Sequence, residues 1–339
     1  MKPAPTVTTY SGWRQFRDCR KAYELRYIDG LVPLQRDHNL HFGSLIHQCL
    51  ELWHDRRDLA AVLDLIDRLC PNRAGDEDQK RDWHNAVGMM RGYAARYPSE
   101  EFEVVALEKT FEGPITNPLT GAASRSFVLS GKVDGIVRIG NEYFLLEHKT
   151  AAQLDADYLD RLWTDFQITI YAYYIEQTLG IPITGILYNV LVKARLQQGK
   201  GETEEEFEAR RAELLAKSKT GKTTAKRKQP ESDEDFAERL GEKYASPQMF
   251  HRELLYLSRD RFDVLRSELW ELTQALLDAR RRGVFYQNTS FCFHHQRPCA
   301  YFALCRSNGN PNVRDNFYQH VTPNEELGPT AGDSSEPAF

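Results

Sequence analysis

The sequence lacks long apolar segments. None of its 339 residues lie in a run of about 18 apolar positions, the length that a membrane-spanning helix needs. The first residues, Met1 to Pro5, are not followed by the apolar core of a secretory signal peptide. We therefore predict a cytoplasmic protein with no membrane contact.

An excess of basic residues is also missing. The 44 Lys and Arg residues face 49 Asp and Glu residues, which gives a formal net charge of −5. This balance disfavours a protein that simply coats DNA, although a nuclease needs only a local basic groove. With 41% hydrophobic and 27% charged residues, the chain has the composition of a globular enzyme with one elaborated domain or two.

A complete nucleotide-binding loop is absent. The tripeptide Gly221-Lys222-Thr223 resembles the end of a P-loop, but Ala216 stands where the first glycine belongs, and no strand precedes it. We therefore predict no ATP binding, so any helicase would be a separate partner. The surrounding segment, from Lys217 to Lys228, holds six Lys or Arg residues and no acid. Contact with a DNA backbone and a solvated loop are both open interpretations of this segment.

Cysteine is sparse, with six residues in the chain, too few for the disulfide framework of a secreted protein. Three of them, Cys292, Cys299 and Cys305, are close together in sequence. Zinc ribbons use tighter cysteine pairs, so this spacing fits a bulky iron–sulfur cluster better than one zinc ion. Zinc, with His294 or His295 as a competing ligand, and plain buried thiols are the alternatives.

Two carboxylates and a lysine flank a predicted hairpin. Apolar residues from Ile136 to Leu146 surround Gly140-Asn141, a two-residue turn signal, so Asp134 and Glu147 should lie on paired strands. Glu147 and Lys149 are two residues apart and should share a face. Close carboxylates repel each other unless a cation lies between them, which favours a hard divalent metal. A solvated face with a salt bridge is the alternative.

Five segments in order resemble the PD-(D/E)XK nuclease superfamily, specifically its RecB-like iron–sulfur branch, which includes CRISPR-adaptation and AddB-type nuclease domains. The resemblance covers residues 8 to 306. It is carried by the opening helix from Thr9 to Leu31 with Cys19, the His47 helix from Phe42 to Glu51, the stretch from Gly131 to Ile136, the stretch from Glu147 to Thr150, and the stretch from Gln167 to Tyr171.

The resemblance implies a metal-dependent DNA exonuclease that acts on DNA ends, often single-stranded, in recombination, repair or CRISPR adaptation. It implies a 4Fe-4S cluster whose fourth ligand, beside the three clustered cysteines, is Cys19. Asp134, Glu147, His47 and the backbone carbonyl of His148 would bind Mg²⁺ or Mn²⁺. Lys149, whose pKa we expect to be low beside a metal, would orient the attacking water. A catalytically silent DNA-end-binding subunit and a restriction-type endonuclease are the rival interpretations.

Three of these candidates also have plain structural interpretations. His47 lies on a helix with apolar neighbours, so a core histidine is the alternative to a metal ligand. Gln167 and Tyr171, which the resemblance places around the motif and the DNA backbone, share a predicted helix face with Trp163 and Tyr174. An aromatic core stripe would explain that face equally well.

The periodicity of apolar residues predicts an α/β fold with a restriction-endonuclease-like mixed sheet flanked by helices. The predicted helices are 11–27, 42–53, 59–69, 82–97, 157–179, 202–216, 232–244 and 258–283. The predicted strands are 102–111, 127–133, 134–139, 143–147, 183–192 and 250–257. Cys49 and Cys70 should be small core residues.

The same patterns divide the chain into five parts. Residues 1–100 should form a helical N-terminal part that holds the first cluster cysteine and the metal-binding histidine, and 101–198 the nuclease core. Residues 199–247 should be a charged helical and basic insertion. Residues 248–320 should supply the last strand, a long helix and the three-cysteine segment that joins the N-terminal helix in an iron–sulfur clasp. Residues 321–339, rich in Gly, Ser, Pro and Glu, should be disordered.

Overall fold

The computed structural model describes residues 5–35, 38–218, 220–294, 297–324 and 327. Its strands are β1 (Thr6–Thr8), β2 (Leu31–Pro33), β3 (Glu103–Thr116), β4 (Ala123–Ile139), β5 (Glu142–Ala151), β6 (Ile183–Val192), β7 (Phe250–Tyr256), β8 (Phe293–His294), β9 (Arg297–Pro298) and β10 (Tyr318–His320). Its helices are α1 (Tyr10–Asp18), α2 (Arg20–Tyr23), α3 (His38–Arg56), α4 (Leu59–Leu69), α5 (Glu77–Arg96), α6 (Ala156–Leu162), α7 (Phe166–Leu179), α8 (Glu204–Lys217), α9 (Asp233–Tyr244), α10 (Asp260–Arg282), α11 (Phe302–Arg306) and α12 (Pro311–Phe317). A π-helical turn, Glu24–Ile28, follows α2.

A six-stranded mixed sheet forms the centre of the molecule. β3, β4 and β5 are antiparallel neighbours, β5 and β6 are parallel, and β7 is antiparallel to β6. The β4–β5 hairpin turns at Gly140-Asn141, where Gly140 adopts a φ of +61°. The parallel pair needs a crossover, which α6 and α7 supply. The predicted mixed α/β architecture and the pairing of the Asp134 and Glu147 strands are therefore confirmed.

Helices cover both faces of this sheet. On one face, Leu145 and Ile186 pack against a core built largely from α1, α7 and α10. Behind the other face, α3, α4, α5 and α9 form a second core that includes Leu191 and Phe250. Cys49 and Cys70 are fully buried in that second core, as predicted. The sheet is thus the middle layer between two helical layers.

An opening in the strand pairing creates space beside β4. β1 runs parallel to β4 and ends with Thr8 opposite Leu129. The pairing of β5 with the same strand begins at Gly135. Both partners lie on the edge of β4 opposite β3, because a strand has only two edges and β3 occupies the other. The segment 130–134 therefore faces a gap between β1 and β5.

The first predicted helix is interrupted in the structure. Thr9, rather than Ser11, is its N-cap, and its side chain accepts a hydrogen bond from the backbone N–H of Gly12. The helix stops at Cys19, which has extended backbone angles (φ −158°, ψ 114°). Sequence periodicity does not reveal this break because apolar residues continue on both sides. The N-terminal hundred residues also contribute β1 to the sheet, so this part is not purely helical.

Several other predicted boundaries were wrong; α5, for example, begins at Glu77, and β3 extends to Thr116. The 157–179 helix is two helices, because Asp165 accepts a hydrogen bond from the backbone N–H of Gln167 and so caps a new helix. Trp163 therefore lies outside α7, is 48% exposed and does not share the face of Gln167. The strands predicted at 127–133 and 134–139 are one strand, β4. The last long helix has Arg259 at its N-cap instead of Ser258.

The insertion contains the two charged helices that the sequence predicts, α8 and α9. The basic segment between them packs back on the start of α8. The Lys228 carbonyl accepts from the backbone N–H of Glu202 at 3.0 Å, and Arg227 pairs with Glu204 at 2.8 Å. Within the described ranges, no helix is long and apolar enough to cross a bilayer. Most of the segment predicted to be a disordered tail lies outside those ranges.

Candidate active site

A cavity of about 370 Å³ opens at the gap beside β4. It lies between the start of α1, helix α3, the middle of β4, the end of β5, and the first turns of α7. Every residue that the sequence singles out for catalysis or metal binding lines it, namely His47, Asp134, Glu147, His148, Lys149, Gln167 and Tyr171. The fold thus brings together residues that are up to 124 positions apart in the chain (171 minus 47).

Asp134 is held in place from two sides. Its Oδ2 accepts a hydrogen bond from the backbone N–H of His148 at 2.7 Å, and its Oδ1 lies 3.2 Å from Nδ1 of His47. Burial raises the pKa of Asp134, but the neighbouring imidazoles and the backbone hydrogen bond lower it by more, so the net shift is downward. Asp134 is therefore an ionised carboxylate at neutral pH.

Glu147 and Lys149 form an ion pair on one face of β5, with Nζ of Lys149 at 2.6 Å from the Glu147 carboxylate. Burial raises the pKa of Glu147 to about 7, although Lys149 opposes the shift. Burial lowers the pKa of Lys149, but the charges of Glu147 and then Asp165 raise it by more than burial lowers it, so the net shift is upward.

Burial controls the pKa of Glu147, because its side chain is 5% exposed, whereas the side chain of Lys149 is 25% exposed and keeps its charge in contact with water. In the metal-free site two carboxylates attract the proton of Lys149 and raise its pKa. The lowered pKa expected beside a bound metal stays a prediction.

His47 faces the cavity and not the apolar core. Its side chain is 33% exposed and contacts Asp134, whereas its helix neighbours Ile46 and Leu50 are fully buried. Burial lowers the pKa of His47, but the charge and hydrogen bond of Asp134 raise it by more. A positioned imidazole next to a carboxylate suits a metal ligand better than a packing residue.

Gln167 and Tyr171 meet the same site from α7. The Gln167 carbonyl oxygen lies 3.3 Å from Nζ of Lys149, so the side chain steadies the lysine. Tyr171 is 9% exposed and packs edge-to-face on Phe111 at 5.4 Å. Burial and then the charge of Glu147 raise the pKa of Tyr171, which keeps its hydroxyl protonated. Tyr171 thus belongs to the aromatic core and to the cavity wall at once.

The donor set fits a hard divalent ion. Two carboxylates and one imidazole line a single cavity, and the His148 carbonyl lies on the Asp134 side of β5, because N–H and C=O of one strand residue point the same way. The part of the chain that the structure describes contains no ready-made group of three metal-binding side chains. Oδ1 of Asp134 contacts His47, and the Glu147 carboxylate contacts Lys149, so these two contacts would rearrange around an ion. Oδ2 of Asp134 would keep its hydrogen bond from the backbone N–H of His148.

The four predicted cluster cysteines come near one another where α1 ends. Cys19, Cys299 and Cys305 border one small buried core. Burial and then the charges of the other three thiols raise the pKa of Cys305, so all four lie within electrostatic reach. The backbone N–H of Cys299 donates to the Cys292 carbonyl at 2.8 Å. The competing ligands proposed from sequence, the side chains of His294 and His295, fall outside the described residues.

Sequence reasoning missed several residues around the cavity. Thr9 and Ser11 line it from the N-terminus of α1, and Lys132 lines it from β4. Lys132 stands in the same short motif as Asp134, so the motif could have indicated it. Asn189 contacts the ring of His148 from β6, and it is a fully buried amide within an otherwise apolar strand. An isolated polar residue in an apolar strand is the signal that could have found it.

Comparison with known proteins agrees with this geometry. The family model of the PD-(D/E)XK nuclease superfamily matches residues 8–306. Among solved structures, the chain is similar to the crystal structure of a provisionally assigned exonuclease from Eubacterium rectale, with 10% identity, a TM-score of 0.43 and coverage of 89% of this chain and 88% of that one. A search of curated proteins gives no significant match. Members of the superfamily typically use divalent ions such as Mg²⁺ or Mn²⁺. Because the model covers most of the chain and its motif residues line one cavity, the chain belongs to the PD-(D/E)XK nuclease superfamily.

Proposed function

We propose that this protein is a Mg²⁺- or Mn²⁺-dependent exonuclease that hydrolyses phosphodiester bonds at DNA ends, with a preference for single strands. The observation that carries the proposal is the convergence of Asp134, Glu147, Lys149 and His47 on one cavity. Recombination, repair and the processing of foreign DNA are the settings in which such an activity would work. A helicase, where one is needed, would come from a partner.

Four groups would hold the metal, namely the carboxylates of Asp134 and Glu147, the His47 imidazole and the His148 carbonyl. When bound, the ion supplies Lewis-acid stabilisation of the charge that develops on the scissile phosphate. The chain itself positions the other participants. Lys149, held by Glu147 and Gln167, presents a charged ammonium to the cavity and orients the attacking water.

The proposed preference for single strands rests on the resemblance of the five motif segments to RecB-like nucleases that act on DNA ends.

We also propose that Cys19, Cys292, Cys299 and Cys305 hold a 4Fe-4S cluster. The four thiols come from the helix break at Cys19 and from the C-terminal segment, and they approach one another there. Zinc ribbons use tighter cysteine pairs, so the sequence spacing of Cys292, Cys299 and Cys305 favours a bulky cluster over a single zinc ion.

The nuclease proposal is tested on end-labelled linear DNA and on circular DNA, single- and double-stranded, with Mg²⁺, Mn²⁺ or EDTA. We expect metal-dependent release of short products from linear single strands and no cutting of circles. Cutting of circles at defined sites would indicate a restriction-type endonuclease. Tight binding of ends without any cleavage would indicate a catalytically silent subunit. The matched control is Asp134→Ala, which should be inactive in every reaction.

A further inference from the structure

A polar network of buried, hydrogen-bonded side chains lies behind β5, on the sheet face opposite Glu147 and Lys149. Asn189 of β6 donates from Nδ2 to Nδ1 of His148 at 3.0 Å and to the Tyr93 hydroxyl at 2.9 Å. Asn189 and Tyr93 are 0% exposed and His148 is 3% exposed. Water therefore does not compete for these hydrogen bonds, and each one fixes the orientation of its partners.

His148 connects this polar network to the active site. It stands between Glu147 and Lys149, and because strand residues alternate, its ring points to the opposite face. Its backbone N–H donates to Oδ2 of Asp134 at 2.7 Å. Its carbonyl is one of the groups proposed above to hold the metal. A fixed His148 ring therefore restricts the backbone atoms of the same residue, which hold Asp134.

The end of this polar network farthest from His148 is anchored in two other elements. Tyr93 projects from α5 and also accepts a hydrogen bond from Arg252 of β7 at 2.9 Å. Arg252 pairs with the buried carboxylate of Glu100 at 2.5 Å, and Arg57 pairs with the same carboxylate at 2.8 Å. The helical layer and the edge of the sheet thus fix the position of Asn189 and, through it, the ring of His148.

We infer that Asn189 is a positioning residue of the active site: by holding the His148 ring from behind, it sets the backbone N–H that orients Asp134 and the carbonyl beside it. The inference rests on the proposed function of this cavity. Polar partners behind metal ligands typically change metal affinity by about 10- to 100-fold when they are removed.

The composition of β6 supports a role beyond packing. Leu187 and Leu191 flank Asn189 at two-residue spacing, so they share its face, and both are apolar and buried. Among the described residues, Oδ1 of Asn189 and Nε2 of His148 have no hydrogen-bond partner. An apolar side chain would avoid the cost of burying these atoms, so packing alone does not explain the asparagine.

The test compares Asn189→Leu with Thr273→Val, which removes a fully buried hydroxyl from α10. Mn²⁺ binding is measured by calorimetry without DNA, and thermal unfolding is measured in EDTA. We expect Asn189→Leu to bind Mn²⁺ about tenfold more weakly and to need correspondingly more Mn²⁺ for half-maximal cleavage. Thr273→Val should unfold at a lower temperature and bind Mn²⁺ like the wild type.

A second pair of variants covers the case in which Asn189→Leu does not fold. His148→Asn keeps an acceptor near the position of Nδ1, whereas His148→Leu removes it. We expect the Mn²⁺ affinity of His148→Asn to lie nearer to that of the wild type. Equal affinities for the two variants would contradict the inference.

The outcomes separate this inference from the proposed function. Wild-type Mn²⁺ affinity in Asn189→Leu, combined with a lower unfolding temperature, would overturn the positioning role and leave the nuclease in place. A wild-type protein that binds Mn²⁺ but cleaves no DNA would overturn the nuclease. The ratio of Mn²⁺ affinities between wild type and variant would still decide the role of Asn189.

Discussion

The ammonium of Lys149 lies 2.6 Å from the carboxylate of Glu147, and both groups project from one face of the same strand. One ammonium does not fully compensate two carboxylates in this cavity, since burial and the charge of Asp134 together raise the pKa of Glu147 to about 7, although Lys149 opposes the shift. The metal-free site therefore costs stability at neutral and higher pH. A bound cation would remove this cost, which couples metal binding to folding.

Glu147→Gln should stabilise the metal-free protein. The pKa of Glu147 is raised from an ordinary 4.5 to about 7, so between these values the folded state holds a proton that the unfolded state has lost. Stability from this group therefore falls as pH rises through that window and stays low above it. In EDTA at pH 8 we expect a gain on the order of 1–3 kcal/mol, seen as an unfolding temperature higher by a few degrees.

The same variant should lose the stabilisation that Mn²⁺ gives the wild type, because it lacks a metal-binding carboxylate. Glu142→Gln is the matched control, since Glu142 is exposed at the start of β5. An unfolding temperature of Glu147→Gln below that of the wild type in EDTA at pH 8 would contradict the electrostatic account.

Cleavage should depend on Asp134 and Lys149. We expect Asp134→Ala and Lys149→Ala each to lower the cleavage rate by at least about 10²-fold, because the first removes a metal ligand and the second the group that orients water. Circular dichroism should show an intact fold in both. Glu142→Ala, on the same hairpin, should cleave almost normally. Undiminished cutting by either of the first two variants would refute the assignment of the site.

His47→Ala should weaken metal binding. The His47 ring contacts Asp134 at 3.2 Å and faces the cavity, so we expect activity to fall and to recover in part with added Mn²⁺. Gln48→Ala on the exposed side of the same helix is the control. If His47 served packing instead, the variant would unfold at a lower temperature and its activity would not respond to Mn²⁺.

Cys19→Ser should remove the cluster and destabilise the fold. Anaerobically purified wild type should be brown, with broad absorbance near roughly 400 nm and about four irons per chain. The cluster would tie α1 to the C-terminal segment, and a cross-link over such a long loop is worth on the order of several kcal/mol. Cys70→Ser, at a fully buried site outside this group, should stay brown. Colourless protein with stoichiometric zinc would disprove the cluster and leave the nuclease proposal intact.

Local patterns in the sequence determined the hairpin, the shared face of two site residues and the limits of several helices and strands. The hairpin at Gly140-Asn141 was predictable because only a few residue pairs adopt a tight turn between apolar strands. Alternation then placed Glu147 and Lys149 on one face, and helix α4 and strand β6 were predicted at their observed limits. These features depend on residues close in sequence.

Tertiary structure decided where some helices are interrupted and which side chains meet behind the site, because these features depend on contacts between distant segments. The break at Cys19 interrupts a helix whose apolar periodicity continues, so the pattern alone could not reveal it. The cap at Asp165 is a local signal, two positions before Gln167, that the continuing periodicity obscured. The pKa of Lys149 is raised by Glu147 on its own strand and then by Asp165, which folding brings within 3.9 Å. The hydrogen bond from Asn189 to His148 joins residues 41 positions apart, and packing of β6 beside β5 creates it.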